Sequence, residues 1–550
     1  MIGVLCKDSE RDTAREFFEL FKTPWEFFGE GRHYEVVVST LAETPALNAN
    51  LLIIYSSDPA EFDTQKKIAR ESSASHQLTT ADGIRLPIYG KLTTFHRTDG
   101  PLMQDKFCSD AFVLGFSEPQ GEILRVGYDL FQEIAFLLSD GQPIRYAFIP
   151  TLEFHISLLR DWIVNAGIPL VEIPPIPWGH KFIVCLTHDV DFGGIRRHKL
   201  DYTMWGFVYR ALFGSFSEYA KGNIPFAQVM KNWTAVFSLP LVYLGIIKDF
   251  WDDFERYLEI ETHLASTFFL IPFKNRAGEN MEGQFHGRRA TAYDIGDLRK
   301  QTERLINRGF EIGLHGIDAW NNAEKGKQEM NRIVEMTGQK DIGVRIHWLF
   351  FNRRSPAILE QAGFDYDSTF GYNETIGYKA GTTQVFRPLG IDRLLELPLH
   401  IQDTALFFPK RLGLSPTQAW NLCKTILKTA TRFGGVITLL WHQRSLAPER
   451  LWDEFYVRLV QELKSLGVWF GTASQVVQWF RRRRSVTFGD ARHNGDSLGL
   501  RINYDADVSE PRMFLRLHRP RKTASSQLKA KSSHIDLLYK GESSIEIPLV

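Results

Sequence analysis

The chain of 550 residues predicts an α/β fold, an irregular barrel of parallel βα units with an α/β domain before it and a small β-rich module after it. Three observations lead there. Between about residues 180 and 480, short apolar strands alternate with amphipathic helices, the pattern of parallel βα units. The length exceeds what one hydrophobic core organises, so flanking domains are expected. The balance of 44% hydrophobic and 24% charged residues is that of an ordinary folded protein with a sizeable core.

Taken in order, residues 1–177 mix short apolar runs (EVVVST, NLLIIYSS) with helical spacing in YDLFQEIAFLLS and FHISLLRDWIVNAG, an accessory α/β domain. VEIPPIPWGH, with prolines at 174, 175 and 177, makes a stiff boundary near residue 178. The barrel then occupies 178–484. Its expected strands are 182–187, 266–271, 310–314, 344–349, 394–399, 436–441 and 468–470. Helices are read at 297–309 and 355–363, each closing on a glycine. Six or seven strands are too few for a regular eightfold barrel and suit an incomplete (β/α)7-type one. Residues 193–262 form a helical insertion rich in aromatics, expected at the barrel's C-terminal mouth because it follows the first strand. Residues 485–550 alternate β-like runs with Ser/Lys-rich connections.

Lys plus Arg and Asp plus Glu are each 65, so no polyanion footprint is present and nucleic acid is not an expected partner. Arg481 to Arg484 could meet anionic lipid, although such runs at helix ends are usually solvated. The segment 233–247 is apolar almost throughout, yet at 15 residues with a central Pro240 it is short for a membrane span. It reads as a buried or interfacial helical hairpin. Cys6, Cys108, Cys185 and Cys423 are far apart, which suggests neither a zinc ribbon nor a disulfide scaffold. With no secretory h-region in the first residues, a cytoplasmic location is expected.

Chemistry concentrates at three strand ends. Thr187-His188-Asp189-Val190-Asp191 follows a fully apolar strand, where barrels place catalytic groups; a lone Asp there is often a turn cap, but two carboxylates beside a His exceed that need. Leu314-His315-Gly316-Ile317-Asp318 and Leu440-Trp441-His442-Gln443 repeat the arrangement, and parallel strands bring their C-terminal ends together. Carboxylate oxygens with imidazoles suit Zn²⁺ or another first-row divalent ion with positions left open, a site for hydrolysis.

These residues resemble the polysaccharide deacetylases, the NodB-homology family or carbohydrate esterase family four, over roughly residues 180–480. The resemblance implies a NodB-homology barrel with Asp189 as general base and Asp191 as metal ligand. It implies His315 as a second ligand, but Ala319 occupies the place of the family's next His. A third ligand is then expected from Asp318, His188 or His347, in that order, with His188 and His347 otherwise set against substrate. Arg345 resembles the Arg that orients the base, and Asp367 the carboxylate that tunes the catalytic His; a buried ion pair is the plainer account of both. His442 matches the acid. One divalent ion is implied, Zn²⁺ first, with Co²⁺, Ni²⁺ or Mn²⁺ as alternatives. A carbohydrate substrate is the implied partner, and the insertion leaves peripheral membrane contact open. Two other readings stand beside this one: an amidohydrolase acting on a small non-sugar amide, and a non-catalytic glycan-binding or scaffold protein, the latter motivated by the missing His.

Overall fold

A computed structural model describes the chain except residues 44–48, 73–76, 80–82, 84, 98–111, 120, 223, 282–286, 451, 495–496, 505–509, 521–533 and 549–550. Cys108 lies outside the described residues. The fold is mixed α/β, divided into two compact units: Met1–Trp178, Ala380–Gly390 and Trp479–Val550 form one, Gly179–Lys379 and Ile391–Gln478 the other.

The second unit is built on nine parallel strands: β1 (Ile183–Val190), β2 (Ser266–Leu270), β3 (Glu311–Gly316), β4 (Val344–Ile346), β5 (Tyr366–Asp367), β6 (Leu395–Glu396), β7 (Ile401–Gln402), β8 (Val436–Leu440) and β9 (Trp469–Phe470). Their spatial order is β6-β5-β4-β3-β2-β1-β8-β7, with β9 also paired to β1. β1 is buried along its whole length, which explains its unbroken apolar start. The two end strands, β6 and β7, are only Leu397–His400 apart in sequence. That segment crosses between them, Leu397 N–H donating to Asp367 O at 2.8 Å and His400 N–H to Thr438 O at 3.2 Å. The run expected as a strand at 394–399 holds only β6, and β7 follows beyond it. β5 and β7 are the strands the sequence did not reveal, being two residues each.

The helices between strands follow their terminal signals. α1 (Arg299–Asn307) precedes β3; α2 (Ala323–Thr337) starts on the Asn322 side chain, which accepts from Lys325 N–H at 2.9 Å; α3 (Ser355–Ala362) ends at Gly363, whose φ of 97° is left-handed. After β1 the insertion forms Tyr202–Tyr209, a π-helical turn Arg210–Gly214, Ser215–Ala220, Phe226–Phe237, Leu239–Tyr243 and Phe254–Ile260. Its core gathers Met204, Phe207, Val242 and Trp251 with Ala447. No helix among the described residues is long and apolar enough to cross a membrane.

The first unit carries a six-stranded sheet in the order Trp25–Phe27, Ile2–Leu5, Tyr34–Ser39, Ala49–Tyr55, Gly121–Val126, Val113–Glu118, parallel except for the last pair. The segment 485–550, expected as a module of its own, is continuous with this unit: Phe514–His518 pairs antiparallel with Leu170–Glu172. Arg483 and Arg484 of the basic run are also used internally. Arg483 is buried and donates to the carbonyls of Glu19, Leu20 and Ile173, and Arg484 grips Glu16 at 2.7 and 2.9 Å.

Gly343, just before β4, is where two strands approach too closely for a side chain. A Cβ there would lie 1.8 Å from the Tyr366 ring. Gly343→Ala is expected to destabilise this unit by about 3 kcal/mol or more, since backbone and a buried ring would both have to move. A lowered midpoint of thermal unfolding checks it, and an unchanged midpoint would show that the ring yields freely.

Candidate functional site

The extended backbone of β1 sends alternate side chains to opposite faces. Thr187, Asp189 and Asp191 fall on one side. Thr187 and Asp189 meet Arg345 from β4, whose Nη1 donates to Thr187 Oγ1 at 2.7 Å and Asp189 Oδ1 at 3.0 Å. Its Nε and Nη2 donate to the backbone O and Oγ of Ser368, at 2.9 and 2.8 Å. His188 falls on the other side. Fully buried, it contacts Trp441 O at 2.8 Å, Ser266 Oγ at 3.0 Å and Glu261 Oε1 at 3.0 Å, between the rings of Tyr257 and Phe268. The expectation that His188 touches substrate or metal is corrected: strand alternation turns it into the core.

Three donor atoms converge at the strand ends: Asp191 Oδ1, His315 Nε2 and His347 Nδ1. Asp191 Oδ1 stands 3.3 Å from each imidazole nitrogen, and the two nitrogens are 2.9 Å apart. Ligand atoms held about 2.0–2.1 Å from one first-row ion, at angles of about 90–110°, stand about 2.9–3.4 Å from each other. The observed separations match. His315 Nδ1 lies 3.0 Å from Arg345 O, which can only accept, so Nδ1 is the donor there and Nε2 is the nitrogen turned to the cluster. Burial pulls His347 down to about 4, against the pull of Asp191, so it is neutral at ordinary pH. Asp191 would be raised by burial, but His347, His315 and His442 hold it well below the usual carboxylate range. Its Oδ1 is buried and receives no well-aligned hydrogen bond. A buried carboxylate oxygen with no hydrogen-bond donor, facing two imidazole nitrogens, is a donor set that suits a cation.

His347 takes the third position, and the expectation for Asp318 is corrected. Asp318 Oδ1 accepts from Glu279 N–H at 2.8 Å and its Oδ2 from Lys325 Nζ at 3.2 Å, so it organises the loop and helix after β3. A turn the sequence could not announce brings His347 in. Trp348 and Leu349 both have left-handed backbones, with φ of 67° and 54°, and buried Arg289 clamps His347 O through Nε and Nη2 at 3.3 and 2.9 Å. Two consecutive non-glycine residues at positive φ store strain, which is typical of a positioned functional group.

His442 follows β8. Its Nδ1 is 2.7 Å from Asp403 Oδ1, its own N–H donates to Asp403 Oδ2 at 2.6 Å, and its Nε2 is 3.8 Å from Asp191 Oδ2. Ser445 Oγ also donates to Asp403 Oδ2. Burial alone would lower the imidazole, but Asp403, Asp191 and Asp189 together raise it to about 9. Asp403 comes directly after β7, the short strand hidden in the sequence, and so was missed.

The carboxylate that contacts His442 is therefore Asp403, and not Asp367 as expected. Asp367 Oδ1 accepts from Thr369 N–H and hydroxyl, and its side chain lies beside Glu396, its register partner on β6. Burial raises Asp367 to about 6 and, with Asp367 as neighbour, Glu396 well above the carboxylate range. The two carboxyls share a proton at neutral pH.

No protein-family model and no curated protein matches the chain. Among solved structures it is similar to a chain described as a polysaccharide deacetylase from Mycobacterium smegmatis, 20% identical over 58% of this chain and 99% of that one, with a TM-score of 0.36. It is also similar to one so described from Pseudomonas aeruginosa PAO1 (14% identity, 58% and 97% covered, TM-score 0.33) and to the Puue allantoinase (14% identity, 56% and 92% covered, TM-score 0.33).

Elemental analysis of the purified protein tests the ligand set. Asp191→Ala, His315→Ala and His347→Ala are each expected to lose at least 10-fold in affinity for Zn²⁺, whereas Asp318→Ala keeps it. Retention by His347→Ala with loss by Asp318→Ala would reverse the assignment.

Proposed function

We propose that the protein is a metal-dependent hydrolase that removes N-acetyl groups from an amino-sugar polymer, oligosaccharide or precursor. The observation that carries this reading is the joint placement of a ligand triad, Asp191, His315 and His347, with a held carboxylate and a raised imidazole on its borders.

Asp191, His315 and His347 would hold one divalent ion, Zn²⁺ first by its nitrogen and oxygen donors. When bound, that ion polarises an acetamide carbonyl and lowers the pKa of water at its open position. Asp189 is the proton acceptor in this scheme. Arg345 fixes its Oδ1, leaving Oδ2, which lies 3.8 Å from His315 Nε2, directed at the ligand cluster. His442 supplies the proton that the departing amine requires, since an amide expels an amine poorly without one. Asp403 fixes the ring by Nδ1, so the proton to be delivered sits on Nε2, the nitrogen that faces Asp191. Trp348, 38% exposed and next to His347, offers an indole face against which a sugar ring can stack.

The test is acetate release from a panel of N-acetylated sugars, with small amides alongside. Chelation should abolish release and Zn²⁺, Co²⁺, Ni²⁺ or Mn²⁺ should restore it. Turnover of a small amide alone would move the protein to the non-sugar amidohydrolases, and no turnover with any metal would leave glycan binding. A second prediction concerns pH. With Asp403 present, the protonated form of His442 persists to about pH 9. Asp403→Asn removes the main support of the imidazolium, so the alkaline limb of kcat should move to lower pH and kcat should fall about 10²-fold. An unmoved limb would place the acid elsewhere.

A further inference from the structure

The insertion after β1 has a surface unlike the rest of the chain. Nineteen large apolar side chains are exposed among the described residues, and fourteen of them lie between Leu200 and Ile247. Phe237 and Leu244 are 73% exposed, Tyr209 and Ile246 66%, Phe213 65% and Trp205 57%. Isolated exposed apolar residues need no explanation, but a concentration of this kind marks an interaction face. These helices already own a core: Met204, Phe207, Ala235, Leu239 and Val242 point into the buried cluster around Trp251. The outward apolar side chains are therefore a second set, over and above what packing uses, joined in part by ring contacts: Tyr209 with Phe213, Phe216 with Tyr219 and Tyr219 with Phe226.

We propose that this face docks on an anionic lipid bilayer, its helices lying in the interface without crossing it. Three observations choose that occupant. The mix of Tyr and Trp with Phe, Leu and Ile is that of residues which settle at the boundary between headgroups and acyl chains. The helices are short, and none could span a bilayer. Around the exposed side chains, residues 195–248 hold seven Arg and Lys against two acidic side chains, Asp201 and Glu218, whereas the insertion as a whole, 193–262, holds eight of each because its acidic residues cluster after Lys248. Lys221 is matched by Glu218 at 2.9 Å and Lys248 by Asp253 at 2.8 Å, whereas exposed Lys231 comes only to 3.9 Å of Asp453. Apolar burial thus leads and the surplus of cations selects anionic headgroups. The same surplus argues against a second copy, because a twofold interface would set these cations against themselves.

The face is tied to the ligand cluster from two sides. Phe192, next to Asp191, packs on the insertion's core, and Tyr257, on its last helix, donates to His442 O at 2.8 Å. Docking would hold the site at the lipid surface. The inference itself does not depend on the hydrolase reading.

The test is co-sedimentation of the full chain with phosphatidylcholine vesicles, with and without phosphatidylglycerol, beside light scattering of the free protein. The expected result is sedimentation that requires phosphatidylglycerol and falls at least tenfold in the triple variant Phe213→Glu, Phe237→Glu, Leu244→Glu. Those positions are exposed, so far-UV circular dichroism and Zn²⁺ content should be unchanged, and Ile144→Glu, exposed outside the insertion, should bind as the natural chain does. Protein that stays in the supernatant with both vesicles, equal binding to both, or full binding by the triple variant would each overturn the proposal. So would a dimer in solution that the triple variant dissolves, which would assign the face to a second copy.

Discussion

The Arg345 guanidinium, buried with no solvent exposure, donates to Thr187, Asp189 and Ser368 and lies over the Phe269 ring at 4.6 Å. One planar group thereby ties β1, β4 and the end of β5 at the level where the strands deliver their functional side chains. A buried pair of this kind gives little net stability, because both charges lose water, but removing one partner typically costs about 3–5 kcal/mol by stranding the other. Its effect is positional. Asp189 cannot rotate without breaking a contact that also fixes two neighbouring strands, and His315, whose Nδ1 rests on Arg345 O, inherits the same reference frame.

Five carboxyl groups gather here in largely dry surroundings, and each is accommodated differently. Asp189 has a permanent cation in Arg345. Asp403 has a titratable one in His442, and is held below its ordinary value mainly by that ring against the opposing effect of burial. Asp367 and Glu396 share a proton. Asp191 alone faces the imidazoles of His315 and His347 with a buried oxygen that receives no hydrogen bond, which sets it apart from the other four.

How far the sequence foretold this depends on which physical signal carried each element. Long buried strands such as β1, β3 and β8 and the glycine-closed helices were legible from apolar runs and terminal residues. Asp189, Asp191, His315 and His442 were legible because they follow such strands. His188 was misplaced although the two-residue period of its strand already set it opposite Asp189. His347 ranked below Asp318 because a left-handed turn at Trp348–Leu349 leaves no trace in residues that normally avoid it. Asp403 was invisible, since it follows a two-residue strand that lies just beyond the apolar run at 394–399. The flanking regions were read as separate domains because strand pairing over hundreds of residues has no local signature.

That long-range pairing bears on how the molecule comes into being on the ribosome. Leu170–Glu172 has its sheet neighbour at Phe514–His518, and Arg387, within the Ala380–Gly390 segment, grips Asp12. The unit that is translated first is consequently finished last. Its early strands must persist, partly uncovered, while some 340 residues are synthesised. The other unit also closes late, because β1 must wait for β8 and β9, yet its last strand at 469–470 still leaves the ribosome before Phe514–His518 does. The chain is thus a vectorial problem in which the unit begun second has all its strands before the unit begun first.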